Sequence, residues 1–139
     1  MEFFLGESLL LGTSGAWAAA VLLFAFMIGH ALADFPLQGE ILAVGKEMHG
    51  RLDELTGTTW PRGIWVLCLT VHAFIHGGMV WAISGSVRLG VIELILHWLI
   101  DLAKSARLMG FYVDQSLHIL CKIAYVYLLI EHRDWFFST

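Results

Sequence analysis

The chain has 139 residues, of which 58% are hydrophobic and 14% charged, and its net charge is −4 with histidine neutral. A soluble domain carries about 25% charged residues, so this balance, with a mean hydropathy of +0.75, argues against a water-facing globule. No basic run points to nucleic acid, and Cys68 and Cys121 lie in apolar segments with no CxxC spacing, which argues against a disulfide framework.

Met1 to Leu11 lacks the positively charged start of a signal peptide, so the first apolar stretch reads as a retained span. Four stretches are long enough to cross about 30 Å of hydrocarbon at about 1.5 Å per residue. The first runs from about Leu9 to Phe35 and is ended by Pro36, which cannot donate to the preceding turn. Leu37 to Leu55 follows. It mixes apolar residues with Glu40, Lys46, Glu47, Arg51, Asp53 and Glu54, too polar a set to span, and reads as a short interfacial helix before the loop Thr56 to Pro61. The second span runs from about Gly63 to Ile83, with Ser84-Gly85-Ser86 as the turn. The third runs from about Val87 to Leu108, closed by Gly110, and the fourth from about Phe111 to Ile130. The expected fold is an all-α integral membrane bundle of about four transmembrane helices with one interfacial helix, a single domain over residues 1–139.

Lysine and arginine set the expected orientation. Lys46, Arg51, Arg62, Lys104 and Arg107 fall on one side, and Arg88 and Arg133 on the other. The richer side is the cytoplasmic one, which leaves both termini outside, in the periplasm if the membrane is a bacterial inner membrane. Trp17, Trp60, Trp81 and Trp135 fall near span ends, as an aromatic belt would, whereas Trp65 and Trp98 read as packing residues.

The spans carry charge, which costs at least about 2.5–3.5 kcal/mol per group in hydrocarbon even on the mildest scale. The first ends in His30 and Asp34. The second carries His72 and His76. The third carries Glu93, His97, Asp101 and Lys104, and the fourth Asp114, Gln115, His118 and Lys122. Residues four apart share a helix face, so each pair can point at one centre. Asp34, Asp101 and Asp114 fall at one level near the cytoplasmic end, with His30, His97 and His118 about one turn deeper. His72 and His76 reach a similar or slightly greater depth. Deeper still, Glu93 and Lys122 arrive at a common depth and are expected to pair. The competing account makes Glu93 a metal ligand beside His76.

Imidazole and carboxylate donors suit Zn, Fe or Mn, and this number of them exceeds one ion's needs, so a site of two or three transition-metal ions is expected. A polar network between helices, a proton or ion pathway, and bis-histidine haem on His72 and His97 are the competing readings. His49 and His132 lie outside the spans and read as solvated. Lys46 and Gln38 lie near the cytoplasmic mouth and read as surface residues, with contact to a substrate as the alternative.

The residues His30-Ala-Leu-Ala-Asp34-Phe35-Pro36-Leu37-Gln38, then Lys46, His72, His97 with Asp101 and Lys104, and Asp114-Gln115 with His118, resemble the signature of small bacterial and phage inner-membrane proteins of unknown function. The resemblance covers about His30 to Leu120 and implies a membrane protein without an activity. A weaker likeness is to membrane-bound metal-dependent hydrolases. The spaced pairs also resemble those of zinc phospholipase C and S1/P1-type nucleases, although this chain is a membrane bundle and offers no N-terminal tryptophan ligand of their kind.

The expected function is an intramembrane metal-dependent hydrolase. His30, Asp34, His72, His76, His97, Asp101, Asp114 and His118 are the candidate ligands of two or three ions, zinc first among them. Lys104 and Glu93 are the candidates for catalytic roles, Lys104 by holding an anionic group or pairing with a ligand carboxylate. Location in a bilayer implies a lipid-like or amphipathic substrate. The alternatives are a di-iron or di-manganese membrane oxidoreductase, or a metal or proton carrier or accessory membrane protein. Oligomeric state is not set by the sequence.

Overall fold

The computed structural model describes residues 15–137. Among them every regular element is a helix: α1 (Gly15–Asp34), α2 (Gly39–Gly45), α3 (Leu52–Thr56), α4 (Ile64–Ser84), α5 (Val87–Ser105), α6 (Phe111–Glu131) and α7 (Arg133–Phe137). The expected start of the first span at Leu9, and the reading of Met1 to Leu11, lie outside the described residues.

Three helices, α1, α4 and α6, are long and apolar enough to cross a membrane by length and composition. The fourth expected span, α5, has 19 residues but includes Arg88, Glu93, Asp101 and Lys104, which set it apart in composition.

The long helices bury a narrow stripe and expose apolar residues. On α5 the buried positions include Leu89, Glu93, His97, Asp101 and Ser105, each four after the last, so one face is drawn inward along the whole helix. Its outward residues Val91, Ile95 and Leu99 are about half exposed. On α6 the buried stripe includes Asp114, His118, Lys122, Tyr125 and Leu129, while Leu120, Ile123 and Tyr127 face out. Charge inside and oil outside reverses the soluble pattern.

Glycine settles how the helices meet. Gly85, at φ +81°, takes the left-handed conformation that ends α4, and its N–H donates to Trp81 O at 2.8 Å. Ser86 then caps α5, its Oγ accepting from Leu89 N at 3.4 Å. The hairpin sits where Ser84-Gly85-Ser86 predicts it. A Cβ at Gly77 would lie 2.7 Å from Gly90 O, and one at Gly90 would lie 2.8 Å from Gly77 O, so α4 and α5 approach backbone to backbone.

Two boundaries differ from expectation. The third helix ends at Ser105 rather than near Leu108, and Arg107 turns the chain at φ +61°. The segment from Leu37 to Leu55 forms two short helices rather than one. The interval between them is pinned to the end of α5: Met48 N donates to Ser105 Oγ at 2.5 Å, and Ser105 Oγ donates to Lys46 O at 3.5 Å. Those bonds, with Lys46 turned inward, cost the segment its helical continuity.

The bundle has two unlike ends. Leu22 and Phe26 of α1, Val80 of α4, Leu89 of α5, and Tyr125, Val126 and Leu129 of α6 form an apolar core, joined by Phe136. Trp17, Trp81 and Trp135 are exposed, and Trp60 lies at the edge of exposure. Trp98 is partly buried and donates from Nε1 to Thr70 Oγ1 at 3.1 Å. The other end of the bundle holds the charge.

Candidate metal centre

All eight expected ligands, carried by four helices, come together at that end. Asp34, at the C-terminus of α1, has Oδ1 within 3.1 Å of His76 Nε2 and 3.4 Å of His72 Nε2, and Oδ2 within 3.3 Å of His30 Nε2. Asp101 has Oδ1 within 3.1 Å of His118 Nε2 and 3.8 Å of His97 Nε2. His118 Nε2 is also 3.4 Å from Asp114 Oδ1. The imidazoles of His76 and His97 stack at 3.6 Å between centroids, and those of His97 and His118 at 4.1 Å. One ligand atom from each of Asp34, His72, His76 and His97 falls within 4.8 Å of the others, as does one from each of His97, Asp101 and His118. These buried groups could hold a metal ion.

The donor chemistry fits such an ion. Buried polar atoms are nearly always hydrogen-bonded, yet Nε2 of His72, Nε2 of His97 and Oδ1 of Asp114 have no hydrogen-bond partner among the described residues. His72 Nε2 lies 3.4 Å from Asp34 Oδ1 and 3.5 Å from Asp101 Oδ2 without bonding geometry to either. Lone pairs brought together this closely and left unused are what a cation needs.

Neighbouring groups hold the donors in place. Glu93 is engaged through both oxygens: Lys122 Nζ donates to Oε1 at 2.5 Å and Tyr125 OH to Oε2 at 2.7 Å. His97 Nδ1 lies 3.1 Å from the same Oε1, which turns His97 Nε2 toward the centre. Gln115 Nε2 donates to Asp114 Oδ2 at 3.1 Å and leaves Oδ1 to the cluster. Lys46 Nζ donates to Asp101 Oδ2 at 2.7 Å and leaves Oδ1 to His118.

The expected pairing of Glu93 with Lys122 is present, and Glu93 lies under the cluster, 1% exposed, with both oxygens hydrogen-bonded. Lys104 does not reach a cluster carboxylate. Its Nζ lies 3.3 Å from Glu47 Oε1. The reading of Lys46 as a surface residue is corrected: it is 7% exposed and neutralises Asp101. Tyr125 is a site residue the sequence reading passed over. Its position seven after His118 on α6 was the available signal. His49 and His132 are exposed and away from the cluster.

A cavity of about 210 Å³ leads to the cluster. Asp34, Asp101 and Asp114 line it together, which is the common level their helix positions predict. Lys46, Lys104 and Gln115 line it with them.

The decisive comparison is with protein families, one of which matches residues 22–138, a segment holding every residue of the cluster. The chain belongs to the family described as Protein of unknown function (DUF3307). This fits the expectation of a family without an assigned activity. No curated protein and no solved structure matches this DUF3307 chain.

Proposed function

We propose that this protein is a metal-dependent hydrolase of a bacterial inner membrane, with two ions, zinc first among the candidates, held in the cytoplasmic half of a four-helix bundle. The observation that carries the proposal is the convergence of unpartnered imidazole and carboxylate atoms from α1, α4, α5 and α6 beneath a cavity. A bound divalent ion of this class lowers the pKa of water to about 7 and polarises a phosphoryl or acyl oxygen.

The chain's own residues divide the work. His30, Asp34, His72, His76, His97, Asp101, Asp114 and His118 supply the donors. Glu93 orients His97, and Lys122 and Tyr125 hold Glu93. Lys46 and Lys104 stand in the cavity wall beside the reacting region. Phe35 and Phe111, on the same wall and largely exposed, favour a lipid-like or amphipathic substrate.

Four spans, rather than three, are supported by α5 itself. Glu93 and Asp101 are buried in the bundle, and Val91, Ile95 and Leu99 face outward, so the face presented to lipid is apolar despite the composition. Lys46, Arg51, Arg62, Lys104 and Arg107 support an orientation with the cavity on the cytoplasmic side and the termini in the periplasm.

A hydrolase is favoured over a carrier because the polar column has a closed end. Beyond Lys122 and Tyr125 the interior is filled by Leu22, Phe26, Val80, Leu89, Val126 and Leu129. Among the described residues no titratable group continues the column through that layer, as a proton or ion pathway would require.

Elemental analysis of detergent-purified protein, with hydrolysis of chromogenic phosphate and carboxylate esters measured before and after chelation, tests the reading. The expected result is about two equivalents of zinc and an activity that chelation removes and zinc restores. Iron with an oxo-bridged absorption band would move the assignment to an oxidoreductase, and protein without transition metal would overturn it.

A further inference from the structure

The cavity above the cluster has features that metal binding alone does not use. Lys46 and Lys104 both stand in its wall, from unrelated parts of the chain. The first turn of α6 borders it through Phe111 and Asp114. This is the end of a 21-residue helix at which backbone N–H groups and the helix dipole favour an anion.

Charge selects the ligand. Of the four carboxylates in or under the cluster, Glu93 is neutralised by Lys122 and Asp101 by Lys46, whereas Asp34 and Asp114 have no lysine or arginine partner among the described residues. Lys104 and Glu47 cancel. With neutral imidazoles the site is two charges negative and repels anions. Two divalent ions reverse it to two charges positive. A buried excess of that size is costly until a counter-ion enters. A carboxylate would offset half of it, and a phosphate monoester dianion would offset all of it.

We propose that, on the metal-dependent reading above, this cavity binds the phosphate monoester group of an amphiphile. The phosphoryl oxygens face the loaded cluster, Lys46 and Lys104. The apolar part leaves past Phe35 and Phe111, which are 78% and 60% exposed. The phosphate can belong to a lipid headgroup or be free in solution, and the rim favours the lipid.

The test uses the full-length protein in detergent, loaded with Co²⁺ in place of zinc. Inorganic phosphate, acetate and dihexanoyl phosphatidic acid are each titrated against the cobalt absorption bands and by calorimetry. The expected result is that both phosphates shift the bands and acetate does not. Dihexanoyl phosphatidic acid binds at least about tenfold more tightly than inorganic phosphate, and metal-free protein binds neither. Lys104→Met should weaken both phosphates about tenfold without changing cobalt content. Equal affinity for the two phosphates would assign the site to free phosphate and overturn the lipid part. Cobalt held by histidine with no response to any phosphate would overturn the inference and leave the metal reading standing. Protein that takes up no cobalt would overturn that reading itself. Phosphate binding by metal-free protein would show that the charge argument is wrong.

Discussion

Lys122 Nζ lies 2.5 Å from Glu93 Oε1, and both side chains are 1% exposed. The pair joins α6 to α5 at the floor of the cluster. Leaving one member of such a pair alone costs about 3–5 kcal/mol, more than removing both. Lys122→Met should therefore destabilise the protein by that amount, and Glu93→Gln added to it should recover part of the loss. Thermal unfolding in detergent measures both. A double variant less stable than either single variant contradicts the pairing.

Glu93 also fixes His97, which gives a second expectation. Glu93→Gln should lower metal affinity about 10–100-fold, as is usual for a group that orients a ligand histidine. His97→Ala should lower it further, because a donor is lost. His49→Ala, at an exposed position away from the cluster, should change nothing. Competition with a chromogenic chelator provides the numbers, and unchanged affinity in His97→Ala and His72→Ala together removes the metal centre.

Lys46 competes with a cation for Asp101, because its ammonium lies 2.7 Å from Oδ2. Two unit like charges about 4 Å apart repel by about 4 kcal/mol at an effective dielectric of about 20, and a divalent ion doubles that. Lys46→Met should thus bind divalent metal at least about tenfold more tightly, while the metal-free variant loses stability. Calorimetric metal titration beside a melting curve separates the two effects. Weaker metal binding in this variant would mean that Lys46 supports the site rather than opposing the ion.

Close approach of α4 and α5 makes neighbouring glycines unequal. At Gly77 a Cβ would meet the Gly90 carbonyl at 2.7 Å, whereas at Gly78 it would meet nothing within 4 Å. Gly77→Ala should cost about 1–3 kcal/mol through helix displacement, and it should disturb metal binding through the adjacent His76. Gly78→Ala should be neutral or stabilising by up to about 1 kcal/mol, since alanine is the better helix former. Comparable losses at both positions would contradict the packing.

Topology is open to cysteine labelling in a background with Cys68 and Cys121 replaced by alanine. Arg51→Cys should react with a membrane-impermeant maleimide only from the cytoplasmic side, and His132→Cys only from the periplasmic side. Both positions are exposed. Reaction of the two from the same side would leave an even number of spans between them and remove α5 from the membrane.

The sequence by itself determined the long helices, the polar end of the bundle and the meeting of Glu93 with Lys122. The physical reason is that charge is costly in hydrocarbon, and the helical repeat fixes which positions share a face and a depth. His97 and Asp101 declared their common face by spacing alone. The tertiary structure decided what depends on connections without a repeat. Lys46 comes from the segment after α2 and reaches an aspartate 55 positions away. No local pattern distinguishes it from Lys104, which was the natural choice because it shares a helix with Asp101. The break between α2 and α3, the bonds of Met48 and Lys46 to Ser105, and the backbone contact of Gly77 with Gly90 likewise follow from how helices dock. Which carboxylates remain uncompensated, and hence what charge the site presents, was decided only when that docking chose the lysines.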